Sequence, residues 1–313
     1  MILLGKVVRN GVVEAEHHGA VAVVDPDGNV VASMGDIDRQ FYGRSSLKPF
    51  QSRAALDLGA RVSDTGLAVA CASHGGLPVH VAYVRQILER AGLGEAALQT
   101  PPAWPMAENE ARRRVAAGIT DPRSIWHGCS GKHAAMLQAC VASGFAVETY
   151  LEPDHPLQAH MRSRMAEALG HDLSEPAVDG CGAPVYEVSV RSLATGFARL
   201  GTDPEYAKIW TAMHRYPALV GENPRIDQLA TAMCEAAAKV GAEGLIGIAV
   251  RSRFGIAVKS WDGSYRGMEA GVIGTMEQLG LLNGLSRRLL RDRLAVFGGG
   301  TVQGHIEPTV ELV

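Results

Sequence analysis

Strand-forming segments stand at both ends of this chain, and helical ones fill the space between. Near the start, Val7-Val8 and Val12-Val13 flank Asn10-Gly11, a two-residue turn suited to an antiparallel hairpin. Residues 20–24 and 29–32 flank a second turn, Asp25-Pro26-Asp27-Gly28. From about 45 to 241 the apolar positions recur at helical spacing. Helices are predicted over 46–58, 78–91, 108–117, 131–143, 156–169, 187–200, 204–215 and 224–240, several opened by Ser, Asp or Pro and closed by Gly. Strands return at 245–250 and 256–261, and the chain turns at Asp262-Gly263 into a further extended segment, 264–270. Helices over 276–282 and 285–294 and a Gly-rich tail with a last strand complete the pattern.

Strands at both termini have to meet in one sheet if each is to find a partner. The expected fold class is therefore α+β: an antiparallel sheet from the N- and C-terminal strands with a helical lobe inserted between. Residues 1–44 plus 244–313 form the sheet lobe and 45–243 the helical lobe of a single catalytic unit, with the site expected in the cleft between them. At 313 residues and 47% hydrophobic content the chain can bury a large core without disulfides. A net charge of −3 offers no polycationic face for nucleic acid. The N-terminal residues lack a signal-peptide apolar core. The longest charge-free run, 65–84, is interrupted by His74, Pro78 and His80, so no membrane span is expected. Five sparse cysteines fit a reducing, cytoplasmic setting.

The basic residues divide into 24 Arg and six Lys: Lys6, Lys48, Lys132, Lys208, Lys239 and Lys259. Arginine is not deprotonated in proteins, so a site needing a neutral amine must keep lysine. On composition alone, codon bias toward Arg is the better explanation of the scarcity of lysine, and the positions have to decide.

Ser45-Ser46-Leu47-Lys48 is an S-x-x-K sequence. On a first helical turn the two polar side chains share a face, where a neutral lysine can take the serine proton as the hydroxyl attacks a carbonyl. Backbone N–H groups at that helix start can serve an oxyanion. A surface cap with a solvated lysine reads the same way. Lys259, in Ile256-Ala257-Val258-Lys259-Ser260, is a strand lysine that can stand beside such a serine or face solvent. Cys71-Ala72-Ser73-His74-Gly75-Gly76 is a small polar loop or an ordinary helix stop, with Ser73 a second candidate hydroxyl. Cys129 and Cys181 lie in Gly-rich turns, His127-Gly128-Cys129-Ser130-Gly131-Lys132-His133 and Asp179-Gly180-Cys181-Gly182-Ala183-Pro184. They read as zinc thiolates, as free buried thiols or as a disulfide.

Taken together, Arg44-Ser45-Ser46-Leu47-Lys48-Pro49-Phe50-Gln51, Cys71-Ala72-Ser73-His74, Cys129-Ser130-Gly131-Lys132-His133-Ala134-Ala135-Met136 and the 179–184 turn resemble the L-asparaginase II family, the rhizobial-type or class 3 asparaginases. The order of the blocks and the chain length match over nearly the whole sequence. The resemblance implies a serine β-lactamase-like fold and hydrolysis of L-asparagine to L-aspartate and ammonia. It implies Ser45 as nucleophile with Lys48 as its base, Ser73 with Lys259 as a second tandem, and zinc held by Cys129, Lys132 and Cys181. The α-carboxylate and ammonium of the substrate need partners, for which the adjoining Arg44, His133 and Asp179 are the candidates. A homodimer is also implied. One departure is Gly128, where the family commonly has Asn.

Three lysines, Lys48, Lys132 and Lys259, thus fall where a neutral amine is needed. Replacement by Arg is expected to damage function there and to be tolerated at Lys6, Lys208 and Lys239. The alternatives are a β-lactamase-like glutaminase or other serine amidohydrolase, and a non-catalytic, zinc-stabilised binding protein. Against a penicillin-recognising enzyme, the later strand reads Lys259-Ser260-Trp261 rather than K-T-G, and no S-D-N follows.

Overall fold

A computed structural model describes residues 2–221 and 224–313. Seven antiparallel strands run in the spatial order Ala295–Gly298, Thr301–Pro308, Ile2–Arg9, Val12–Val24, Gly255–Ser260, Leu245–Val250 and Ala236–Gly241. The ends of the chain meet in this sheet, as the order of strand and helix signals requires. Val12–Val24 is long enough to pair twice along one edge, with Ile2–Arg9 first and with Val30–Met34 further on. Its two turns follow local chemistry. Asn10 and Gly11 both have positive φ, as a tight hairpin turn needs, and the Asp25 carboxylate accepts from Asp27 N (3.0 Å) and Asn29 N (2.9 Å).

Both faces of the sheet are covered. Ala20, Ala22, Ala237, Ala249 and Ala257 face the helical lobe, while Val21, Val23, Ile246, Ile248, Ile256 and Val258 belong to a second core on the other side. The first face is made of small residues because a helix lies directly on it. A Cβ on Gly247 would fall 2.1 Å from the Phe197 ring, and one on Gly255 2.0 Å from the Ala194 carbonyl. Helix Val190–Thr202 makes these approaches, opened by Ser189 and Ser192 in a reciprocal cap of 3.0 and 2.9 Å. Tyr265–Gln278, Gly284–Asp292 and Ile226–Met233 cover the opposite face.

Several elements depart from the sequence expectation, among them the helix expected over 276–282, where the observed helix ends at Gln278. Residues 224–240 are not one helix: Ile226–Met233 is helical and Ala236–Gly241 is the sheet's end strand. Alanines and a lysine favour helix locally, but pairing with Leu245–Val250 and burial on both faces override that preference. The sheet therefore claims residues from before position 244. Residues 264–270 open helix Tyr265–Gln278, with the Ser264 side chain accepting from Arg266 N (3.2 Å). Helix Asp64–Ala70 was not anticipated. Among the described residues no helix is long and apolar enough to cross a membrane.

Candidate active site

Residues 44–47 form a 3-10 turn, and the α-helix proper is Lys48–Asp57. Pro49 is accommodated because first-turn N–H groups have no intrahelical partner. Arg44 enters the turn with φ +47°, a conformation that costs a non-glycine residue about 1–3 kcal/mol and that gathers at functional sites. The strained turn leaves Ser45 on the wall of a cavity of about 330 Å3, with Ser73, Arg44, Asp179 and Arg225 also on that wall. A larger open depression of about 1060 Å3 between Pro153 and Leu173 holds none of these groups.

Lys48 points away from water. Its ammonium donates to Ala72 O (2.5 Å) and Ser73 Oγ (3.0 Å). Among the described residues it makes no hydrogen bond to Ser45. A second lysine reaches the same hydroxyl from the sheet: Lys239 donates to Ser73 Oγ (3.1 Å) and Val240 O (2.6 Å) and is fully buried. Burial lowers both amines from their ordinary value of 10.5, Lys239 furthest, with the Arg225 charge adding to the effect.

The loop carrying Ser73 is pinned. His74 N donates to Gly128 O (3.1 Å). Ser130 Oγ donates to Ile125 O (2.9 Å), so in this network it accepts from His74 Nε2 (3.0 Å) while His74 Nδ1 accepts from Gly76 N (3.2 Å). Burial holds His74 neutral. The same packing accounts for Gly128. A Cβ there would lie 3.1 Å from His74 O, so a larger residue requires that carbonyl to shift by a few tenths of an ångström, while the Met106 thioether at 3.4 Å is the free end of an exposed side chain.

Lys259 does not join this group. Its ammonium donates to Glu243 O and Ser260 O, both at 2.6 Å, and lies over the rings of Phe41 (5.8 Å) and Trp261 (5.6 Å). It ties down the Glu243-Gly244 turn, both residues with positive φ, just beyond Gly241 and Ala242 on the cavity wall. The lysine that meets Ser73 is Lys239, which the sequence reading placed in a helix and set aside. The signal that could have found it was there: one of only six lysines, followed by Val-Gly and a second strand.

The substrate-binding candidates divide. Arg44 Nε donates to Asp179 Oδ1 (2.7 Å) at the cavity wall. His133 is fully buried, with Nδ1 2.7 Å from Tyr150 OH, and does not line the cavity. Tyr150 OH also accepts from Gln99 N (3.2 Å).

Cys129 and Cys181 form a small buried cluster with Ala183, and Lys132 Nζ lies 3.3 Å from Cys181 Sγ. A hydrogen bond from Cys181 lowers the Cys129 thiol against the cost of burial, helped by Lys48 and Lys132. Burial acts to lower Lys132, but the sulfur charges and Asp179 outweigh it and raise it. No cluster of three His, Cys, Asp or Glu side chains is present among the described residues, and Lys132 is a nitrogen donor beside the two thiols. Two thiols and an amine are a donor set that fits zinc.

A cavity hydroxyl braced by two dry lysines, between an antiparallel sheet and a helical lobe, defines a candidate centre of the serine–lysine type. The chain belongs to the L-asparaginase II family, whose profile matches residues 6–308. No curated protein matches it. Among solved structures it is similar to Mglu in its glutamate form (18% identity, TM-score 0.47, 86% of this chain and 63% of that one). It is also similar to a Bacillus glutaminase (14%, 0.46, 84% and 91%) and to a β-lactamase from Mycobacterium bovis (17%, 0.46, 84% and 95%). The chain spans less than two thirds of the length of the Mglu chain.

Proposed function

We propose that this protein hydrolyses the side-chain amide of L-asparagine to L-aspartate and ammonia. The observation that carries the reading is Ser73 Oγ, which receives hydrogen bonds from two buried lysines, Lys48 and Lys239. Two donors fill the lone pairs of that oxygen, so its own O–H is left to donate elsewhere. This suits Ser73 to protonate a leaving amide nitrogen, with the lysines to restore the proton.

Ser45 then remains as the nucleophile. Its attack requires the Lys48 amine to turn from Ser73 to Ser45 and take the hydroxyl proton, a short excursion for a residue one turn away. The tetrahedral intermediate collapses with loss of ammonia, its nitrogen protonated from Ser73, and water then cleaves the acyl-enzyme to L-aspartate and free Ser45. The Arg44–Asp179 pair supplies one positive and one negative group for the α-carboxylate and α-ammonium of an amino acid. Zinc belongs to the same proposal, held by Cys129, Lys132 and Cys181. When bound it supplies a fixed positive charge that keeps the sulfurs as thiolates beside the cavity. A homodimer is part of the reading and is checked by sedimentation.

The test is ammonia release from L-asparagine and L-glutamine, with metal content measured on the same samples. Asparagine turnover by the wild type, lost in Ser45→Ala by about 10^3-fold or more, supports the reading. Absence of turnover with or without zinc sinks it. Preference for glutamine would make the protein a glutaminase.

A further inference from the structure

One buried carboxylate has no task in the chemistry above. Asp227 is fully buried at the second position of helix Ile226–Met233. A carboxylate is expensive to remove from water, and a helix start needs only a surface acid. Its position also demands that Gly221 have no side chain, since a Cβ there would fall 2.4 Å from Asp227 Oδ1.

The contacts of Asp227 reach both halves of the centre. Arg225 donates to it through Nε and Nη2, each at 2.8 Å. Oδ2 also accepts from Val240 N (3.1 Å) and lies 3.9 Å from Lys239 Nζ. Oδ1 accepts from Gln228 N (3.1 Å). The guanidinium continues the chain of contacts, with Nη1 donating to Ser73 O (3.0 Å) and Nη2 to Val220 O (3.0 Å). One carboxylate thus grips the strand beside Lys239 directly and the backbone of Ser73 through Arg225. Those two residues are the ones joined by the 3.1 Å hydrogen bond.

We infer that Asp227 and Arg225 form a charged clasp that holds Ser73 against Lys239, and that both are positioning residues for this centre. The inference rests on the Ser73–Lys239 role proposed above. Arg225 also lines the cavity, which raises the different role of binding a substrate carboxylate. Its hydrogen bonds argue otherwise. At least four of its five N–H groups are already directed at protein oxygens, so the bidentate fork a carboxylate prefers is spent on Asp227.

The clasp also has an electrical signature. Lys239 is faced by Arg225 and Asp227 from the segment before and within Ile226–Met233, by Lys48 from its helix, and by Cys71 and Cys129 from the loops beside Ser73. Arg225 disfavours the charged amine and Asp227 favours it. Removing one member or the other should therefore move the titration of Lys239 in opposite directions, which a merely structural brace would not do.

Six lysines make that readable. With lysine labelled by 13C at Cε, the full chain yields six signals to follow, and Lys239→Arg assigns the one of interest. In Asp227→Asn the Lys239 midpoint is expected to fall, and in Arg225→Gln to rise. Each variant should lose about a hundredfold in kcat for asparagine with KM little changed, the effect of misplacing a catalytic group. The double variant Arg225→Gln/Asp227→Asn leaves no unpaired buried ion should the single Asp227 change fail to fold. Its midpoint should lie between those of the two single variants, because the opposing effects partly cancel. Unmoved midpoints, or shifts of the same sign in the two single variants, overturn the clasp. So does a rise in KM at unchanged kcat in Arg225→Gln, the mark of substrate binding. If the midpoints move as expected but the wild type releases no ammonia from asparagine, the proposed substrate falls and the clasp stands.

Discussion

Lys239 and Lys259 sit on strands that flank Leu245–Val250 on either side, and both share a face with alanines of the helical-lobe core. In register, Lys259 and Gly241 are both opposite Leu245, while Lys239 is opposite Gly247. The two lysines are therefore two strands apart, about 10 Å, and one same-face step along. That displacement separates two roles. Lys239 ends on Ser73 in a dry pocket beside Asp227. Lys259 ends on two backbone carbonyls and two aromatic rings and holds a turn. Alternation along a strand identifies the face a lysine occupies but not which strand lies under the serine, because that depends on sheet order.

The largest expected difference lies at the far end of each lysine. Ser73→Ala removes the acceptor of both site lysines and should cut kcat for asparagine by about 10^2–10^4-fold, whereas Lys259→Met should leave kcat close to that of the wild type. Steady-state ammonia release checks both. A small effect of Ser73→Ala would break the distinction.

Stability should invert the ranking. A buried amine that stays neutral binds fewer protons than its unfolded counterpart, which titrates at 10.5. The wild type therefore gains stability as pH rises from the depressed folded value toward 10.5, and below that window it bears the full cost of burying Lys239. Lys239→Met should accordingly raise Tm at neutral pH, by a margin that shrinks toward pH 10.5. Lys259→Met removes two hydrogen bonds and the ring contacts, and should cost about 1–2 kcal/mol. Thermal denaturation across pH separates the two.

A smaller effect concerns the histidines behind the site. Burial lowers His74 and His133 well below 6.5 and His80 to about 4. The unfolded chain takes up protons first, so stability should fall as pH drops below 6.5, with the His80 share ending near 4. Replacing His80 by Gln should flatten that acid limb, as urea denaturation at several pH values will show. The smallest expected signal accompanies the metal. Lys132 must lose a proton to ligate, so zinc uptake should release protons and tighten with pH, measurable by calorimetry in two buffers. Unchanged heats in buffers of different ionisation enthalpy would remove Lys132 from the ligand set.

Much of the fold is legible in the sequence. The Asn10-Gly11 hairpin, the terminal strands and the inserted helices follow from local turn chemistry and periodicity, which short-range physics determines. Ser45, Ser73, Arg44 and Asp179 share one cavity wall, as adjacent motif residues can. Lys239 escaped because Ala236-Ala237-Ala238 reads as helix, and only pairing with Leu245–Val250 makes it strand. Lys259 misled because its strand was read correctly and its neighbours in the sheet were not. Asp227 carried no signal at all, since a buried acid at a helix start looks in sequence like an ordinary first-turn carboxylate.

The central claim is that the lysine beside Ser73 comes from Ala236–Gly241 and serves asparagine hydrolysis. The most direct test compares ammonia release from L-asparagine by the wild type, Lys239→Arg and Lys259→Arg, each shown to be folded. Arginine keeps the charge but cannot give a free amine. The account predicts that the wild type and Lys259→Arg turn over asparagine at similar rates and that Lys239→Arg does not. Full activity in Lys239→Arg with loss in Lys259→Arg would contradict it.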